Sequence, residues 1–138
     1  MSQEFRKTIP VQAPLQTIWD VLVDASRMAD WNPAISSLLT TETVGVVGDA
    51  YATRVRGMIP ATFRYVKISP TVVEHDLSFV GFDEHAVWEL EQREGGSTLV
   101  THRFRQTGPV ARLVPAEASD VVSLRLDRLR RRVEASMG

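Results

Sequence analysis

The side chains here with the widest choice of chemistry are His75, His85 and His102, the carboxylates Asp24 and Asp30, and Arg125, set beside the apolar stripe of a helical run. Histidine ordinarily titrates near neutral pH, so His75 and His102 can hydrogen-bond a ligand, move a proton or ligate a metal. A shared metal is disfavoured by placement. The two flank the strand that carries Trp88, so their backbones are about two inter-strand spacings, ~10 Å, apart, whereas each zinc ligand must come within about 2 Å. His85 belongs to the opposite face. Neither a metal nor an organic cofactor is expected. Asp24 and Asp30 sit where helix caps and turns belong, and capping outweighs an acid/base pair. A Gly-x-Ser-x-Gly elbow, a His-Glu-x-x-His pair, a P-loop and a dinucleotide fingerprint are all missing, and GVVGDA is too short to cradle a phosphate. Without cysteine there is neither disulfide nor thiolate chemistry.

The elements that must position these groups begin with a strand from Phe5 to Val11. Pro14 then opens a helix whose apolar residues, Leu15, Ile18, Trp19 and Leu22, recur on one face. Asp24 and Ser26 can cap a second, short helix, and Pro33 pushes Asn32 extended, returning the chain to strand. The stretch VQAPLQTIWDVLVDASRMADWNPAIS resembles the N-terminal signature of the START-like, Bet v 1-like (SRPBCC) superfamily, nearest its polyketide cyclase/dehydrase and lipid-transport branch. The resemblance runs the length of the chain. It implies an α+β helix-grip fold in the order β-α-α-β6-α, with a curved antiparallel sheet wrapped around a long C-terminal helix and a small apolar molecule between them. It implies no particular ligand, because the superfamily includes carriers, cyclases, receptors and co-chaperones.

From Ile35 onward, turn signals at Gly45 and Gly48, Gly57 with Pro60, Ser69-Pro70, Gly81-Phe82-Asp83, Gly95-Gly96 and Gly108-Pro109 leave room for six strands in an antiparallel meander. A hairpin turning at Gly81 to Glu84 sets Phe79 opposite Ala86, Leu77 opposite Trp88 and His75 opposite Leu90, an apolar face that should point inward. Glu74, Asp76, Ser78, Glu89 and Glu91 occupy the other face, with Arg103 and Arg105 able to neutralise them. Burial favours a longer loop around Gly95-Gly96, which brings Val100 and Phe104 onto the face of Leu90 and Trp88. In the Ala61 to Ile68 strand, Phe63 and Tyr65 share one face and Val66 and Ile68 the other, so either orientation strands apolar groups outside.

From Pro115 the chain reads as a long amphipathic helix with a stripe of Ala118, Val122, Leu126, Leu129 and Val133. Arg125 lies beside that stripe. The favoured reading is that its stem covers apolar surface while its charge reaches water; the alternative is a guanidinium reaching inward to a carboxylate or phenolate. Arg128, Arg130, Arg131 and Arg132 scatter around the helix as a solvated face.

The 138 residues suit a single domain, 1–138, and the net charge of -1 gives no overall attraction to nucleic acid or anionic lipid. The opening MSQEFRKTIPVQ lacks a secretory apolar run and no stretch is long enough to insert stably in a membrane, so a cytoplasmic location is expected. No residue pattern fixes an oligomeric state. The leading expectation is a binding or carrier protein, rather than an enzyme, for a small hydrophobic molecule in an enclosed pocket against the middle of the C-terminal helix. Leu77, Phe79, Trp88, Phe104 and Leu126 supply the apolar wall, Trp88 being a better wall candidate than Trp31. His75 and His102 supply orienting hydrogen bonds and Arg125 an anionic contact. Two alternatives stand beside it. One is an aromatase/cyclase-type enzyme with His75 or His102 as general acid/base, and the other a co-chaperone-like interaction module whose sign would be exposed Phe63 and Tyr65.

Overall fold

Period-2 alternation in the middle of the chain and period-3.6 patterning at its ends produce an α+β arrangement. A computed structural model describes it for residues 3–113 and 118–137, with side chains for 4–111 and 121–137. The chain runs β1 (Gln3–Val11), α1 (Leu15–Val23), a 3₁₀ segment (Ala25–Asp30), β2 (Ala50–Val55), β3 (Ile59–Ile68), β4 (Val72–Phe79), β5 (Phe82–Gln92), β6 (Thr98–Thr107), a 3₁₀ turn (Pro109–Leu113) and α2 (Ala118–Ser136). The strands form one antiparallel sheet, ordered β1-β6-β5-β4-β3-β2, whose concave side grips α2. Pro115, expected to open the last helix, lies outside the described residues.

Among the described residues five strands follow the helices, one fewer than the turn signals suggest. The missing strand survives as a partial cover on the β2 edge. Ile35 makes an isolated bridge to Val55, Ser36 N–H donates to the Arg54 carbonyl at 2.8 Å, and Leu39 N–H donates to the Ala52 carbonyl at 3.1 Å. Register drifts by a residue between those last two bonds, which breaks the ladder while still occupying backbone groups that an open edge would expose.

Two hairpins settle which faces point inward. Gly81, at φ 83°, supplies the left-handed conformation for a tight turn, so Phe79 pairs with Phe82, Leu77 with Glu84 and His75 with Ala86. The expected pairings of Phe79 with Ala86, Leu77 with Trp88 and His75 with Leu90 are therefore displaced along β5. The displacement is even, so every side chain keeps its face. The β5–β6 connection is the longer kind, with Leu90 opposite Val100, Trp88 opposite His102 and Ala86 opposite Phe104. In β3 a bulge between Tyr65 and Lys67 resolves the conflict of faces: Phe63 and Tyr65 point inward, Val66 is left exposed, and Ile68 returns to the inner side opposite Val73.

The helices attach where their ends need partners. Pro14 caps α1 with no side-chain hydrogen bond of its own, and the Leu15 N–H finds the Gln92 side-chain oxygen at 2.9 Å. Asp24 occupies the cap position of the 3₁₀ segment, but its carboxylate accepts from the Ser26 hydroxyl at 2.6 Å rather than from backbone. In α2 the stripe of Val122, Leu126, Leu129 and Val133 is buried, and Arg130 and Arg131 both pair with Asp127 on the outer side.

The segment between the 3₁₀ helix and β2 packs closely enough to give a test. A Cβ on Gly45 would lie 2.2 Å from Cε2 of Tyr65, a buried ring whose hydroxyl donates to the Leu22 carbonyl at 2.8 Å. The ring cannot retreat without losing that bond. Gly45→Ala should therefore lower unfolding free energy by about 1–3 kcal/mol in urea titration, and a neutral result would mean that this segment sits further from Tyr65 in solution.

Candidate functional site

The inward-facing positions of β4, β5 and β6 bring two histidines together around one indole. Trp88 Nε1–H donates to His75 Nε2 at 3.0 Å, and the His102 ring stacks on the Trp88 face at 3.6 Å between centroids. Trp31, delivered by the end of the 3₁₀ segment, meets Trp88 edge to face at 5.4 Å. Phe104, two residues beyond His102, lies 5.4 Å from that imidazole, and the Arg125 guanidinium carbon sits 4.6 Å above the Phe104 ring.

Arg125 does not snorkel. It is 2% exposed and reaches inward from α2 to Glu84, Nη1 donating to Oε1 at 2.6 Å and Nη2 to Oε2 at 3.0 Å. The reason is the tight β4–β5 turn, which draws Glu84 out of the expected loop onto the inner face opposite Leu77, leaving a buried carboxylate that needs a cation. Gln106 adds a third hydrogen bond to Glu84 at 3.1 Å. Burial alone would raise the Glu84 carboxyl, but the charge and hydrogen bonds of Arg125, with help from Gln106, bring it below its ordinary value.

Hydrogen-bond logic fixes both tautomers. The Val87 carbonyl lies 3.1 Å from His102 Nδ1 and can only accept, so Nδ1 carries the proton and Nε2 presents its lone pair to Arg125 Nη1 at 3.4 Å. His75 Nε2 accepts from an indole that can only donate, which puts its proton on Nδ1. Burial, and then Arg125, lower the His102 pKa well below its ordinary value. Burial lowers that of His75 from 6.5 to about 3, with nearby Glu84 opposing and Arg125 reinforcing the shift. Both imidazoles are neutral at physiological pH.

The sequence-expected residues thus divide. His75, Trp88, His102, Phe104 and Arg125 form one connected cluster and Leu77 and Leu126 lie in the same core, whereas the partly buried Phe79 stacks on Phe82 at the hairpin. Trp88 and His102 have no exposed surface, and Phe104 and Leu126 are 1% exposed. In place of the expected enclosed pocket there is packed core: Trp88, His102 and Phe104 lie ring against ring, and Leu126 is buried in the same core. Two grooves of about 210 and 300 Å³ among the described residues lie instead on the outer face around His85 and Arg105. There His85 bridges Asp76 at 2.6 Å and Glu74 at 2.9 Å, and Arg103 pairs with Glu89 at 3.1 Å. Reasoning from sequence missed Glu84 and Gln106, and ranked Trp31 below Trp88 although the two rings are in contact. Alternation along His102, Phe104 and Gln106 would have found the second, and a two-residue turn at Val80-Gly81 the first.

With fold and site described, comparison with known proteins is informative. The family described as "Polyketide cyclase / dehydrase and lipid transport" matches residues 2–134. The chain belongs to that family. Its membership makes it a START-like, ligand-binding domain. No curated protein matches the chain. Among solved structures, this START-like domain is similar to a START superfamily protein from Mycobacterium smegmatis, at 19% identity and TM-score 0.71 over 96% of this chain and 97% of that one. It is similar to a conserved protein from Geobacillus kaustophilus at 16% identity and TM-score 0.75, covering 99% and 97% of the two chains. Truncated norcoclaurine synthase from Thalictrum flavum matches at 12% identity and TM-score 0.72, covering 96% and 94%. At such identities these likenesses establish the fold alone.

Proposed function

We propose that this START-like domain is a cytoplasmic binding or carrier protein for a small, mainly apolar molecule held between the concave sheet and α2. The observation that carries the reading is the polar cluster around Trp88. Two neutral histidines and a compensated ion pair are buried under the middle of α2 in a core that is otherwise apolar, the mixture a site uses to orient a largely apolar ligand. Family membership points the same way. No described helix is long and apolar enough to cross a membrane. Because Trp88 and His102 present no surface to water in the closed form, binding must open the interface between sheet and helix, and apparent affinity is reduced by the fraction of open molecules.

The cyclase alternative draws on the same family but requires a histidine poised to exchange protons near neutral pH. Burial and Arg125 move both candidates away from that range. The co-chaperone-like alternative loses its surface sign, since Phe63 and Tyr65 are buried.

Native mass spectrometry of the protein purified from its own host tests the proposal: a carrier should retain a specific small molecule. Adding that molecule back to stripped protein should change tryptophan emission in the wild type, with a smaller response in Trp88→Phe. Protein that carries nothing, and binds none of a panel of flat polycyclic and fatty molecules, would remove the carrier reading.

A further inference from the structure

Around Trp88 the interior holds more hydrogen-bond donors than acceptors. His75 Nδ1 bears the proton that its tautomer requires yet has no partner, and Trp31 Nε1 and Arg125 Nε are likewise buried and unpartnered, against one lone acceptor, Gln106 Oε1. Each orphan donor carries a desolvation cost that folding alone does not relieve, and native interiors keep few of them without a reason. The charge account, by contrast, is closed. Glu84 takes both terminal nitrogens of Arg125, and the imidazoles beside them are neutral by hydrogen-bond geometry. A buried anion would meet no uncompensated cation, and a buried cation would meet only donors and a carboxylate already engaged.

We propose, building on the carrier reading, that the molecule bound is neutral, with an apolar body and a carbonyl or ether oxygen that accepts the Nδ1 proton of His75. Trp31, in edge-to-face contact with Trp88, offers a second donor for a ligand with another acceptor oxygen. Arg125 is then a fixed wall of the site, held by Glu84, rather than a receptor for a carboxylate. Its charge is used inside the protein.

Three probes of similar shape separate these terms: 2-acetylnaphthalene, 2-isopropylnaphthalene and 2-naphthoate, titrated at pH 7 into the full chain labelled with nitrogen-15. The ketone should bind about fivefold more tightly than the hydrocarbon, one net hydrogen bond, and at least about tenfold more tightly than the anion, whose charge would be buried without a free counter-ion. The His75 Nδ1–H resonance should move with the ketone and not with the hydrocarbon. In His75→Phe the donor and its resonance are gone, and the preference for ketone over hydrocarbon should fall to within about twofold of unity, a retained fivefold preference overturning the assignment to His75; if that variant does not fold, the wild-type resonance and affinity ratio decide alone. Equal affinity of ketone and hydrocarbon with an unmoved His75 signal overturns the proposal and leaves the carrier reading standing. Tightest binding by 2-naphthoate overturns its neutrality. Failure of all three probes to bind overturns the proposal, while the carrier reading is decided separately by native mass spectrometry and the wider panel.

Discussion

Glu84→Gln is expected to destabilise the fold by about 3–5 kcal/mol, because it leaves the Arg125 guanidinium buried at 2% exposure with its counter-charge deleted. Glutamine occupies nearly the same volume and can still accept one hydrogen bond, so the loss reports charge more than packing. Arg125→Met should cost a comparable amount through the opposite orphan, a carboxylate with only Gln106 left to it. The double replacement Glu84→Gln with Arg125→Met removes both charges and should recover much of the loss, giving a coupling of about 2 kcal/mol or more in a double-mutant cycle. Urea titration of the four proteins makes the measurement. Single variants within about 0.5 kcal/mol of wild type would mean that Arg125 reaches water in solution.

Acidification should weaken the fold from about pH 6.5 downward through the two neutral histidines. The folded state holds His75 at about 3, chiefly by burial, against 6.5 when free, and lowers His102 in the same direction. Between those limits the unfolded chain binds more protons than the native one, so unfolding free energy rises with pH and falls as pH is lowered. The slope from His75 approaches about 1.4 kcal/mol per pH unit. From pH 7 to pH 5 His75 should cost roughly 2 kcal/mol, and His102 adds a loss of the same sign. Glu84, whose folded pKa is depressed, contributes its own loss only at lower pH, as its carboxylate begins to protonate below the unfolded value. Unfolding free energies measured at half-unit steps should show this slope, and His75→Gln should remove the part of it that His75 contributes. A flat profile between pH 7 and pH 5 would mean that the imidazoles are solvated and lack the Trp88 and Val87 partners seen here.

The sequence by itself determined the parts of this protein that depend on local periodicity. The α1 face, the α2 stripe and the inward face of β4 to β6 follow from apolar spacing, because alternation and helical repeat are properties of neighbouring residues. The START-like resemblance follows from the order of elements in one N-terminal stretch. His75 and Trp88 were therefore legible as one face despite the displaced β4–β5 pairing, since the displacement is even, and His102 and Phe104 joined that face once burial had selected the longer β5–β6 loop. What only the tertiary structure decided depends on where a turn closes and what it brings across space. The tight turn at Val80-Gly81 moves Glu84 from loop to interior and thereby turns Arg125 inward. The bulge beside Val66 lets Phe63, Tyr65 and Ile68 all face the core, an outcome no strict alternation permits. Whether the two imidazoles titrate near neutral pH was likewise fixed by assembly, because desolvation and the proximity of Arg125 arise only when sheet and helix close around them.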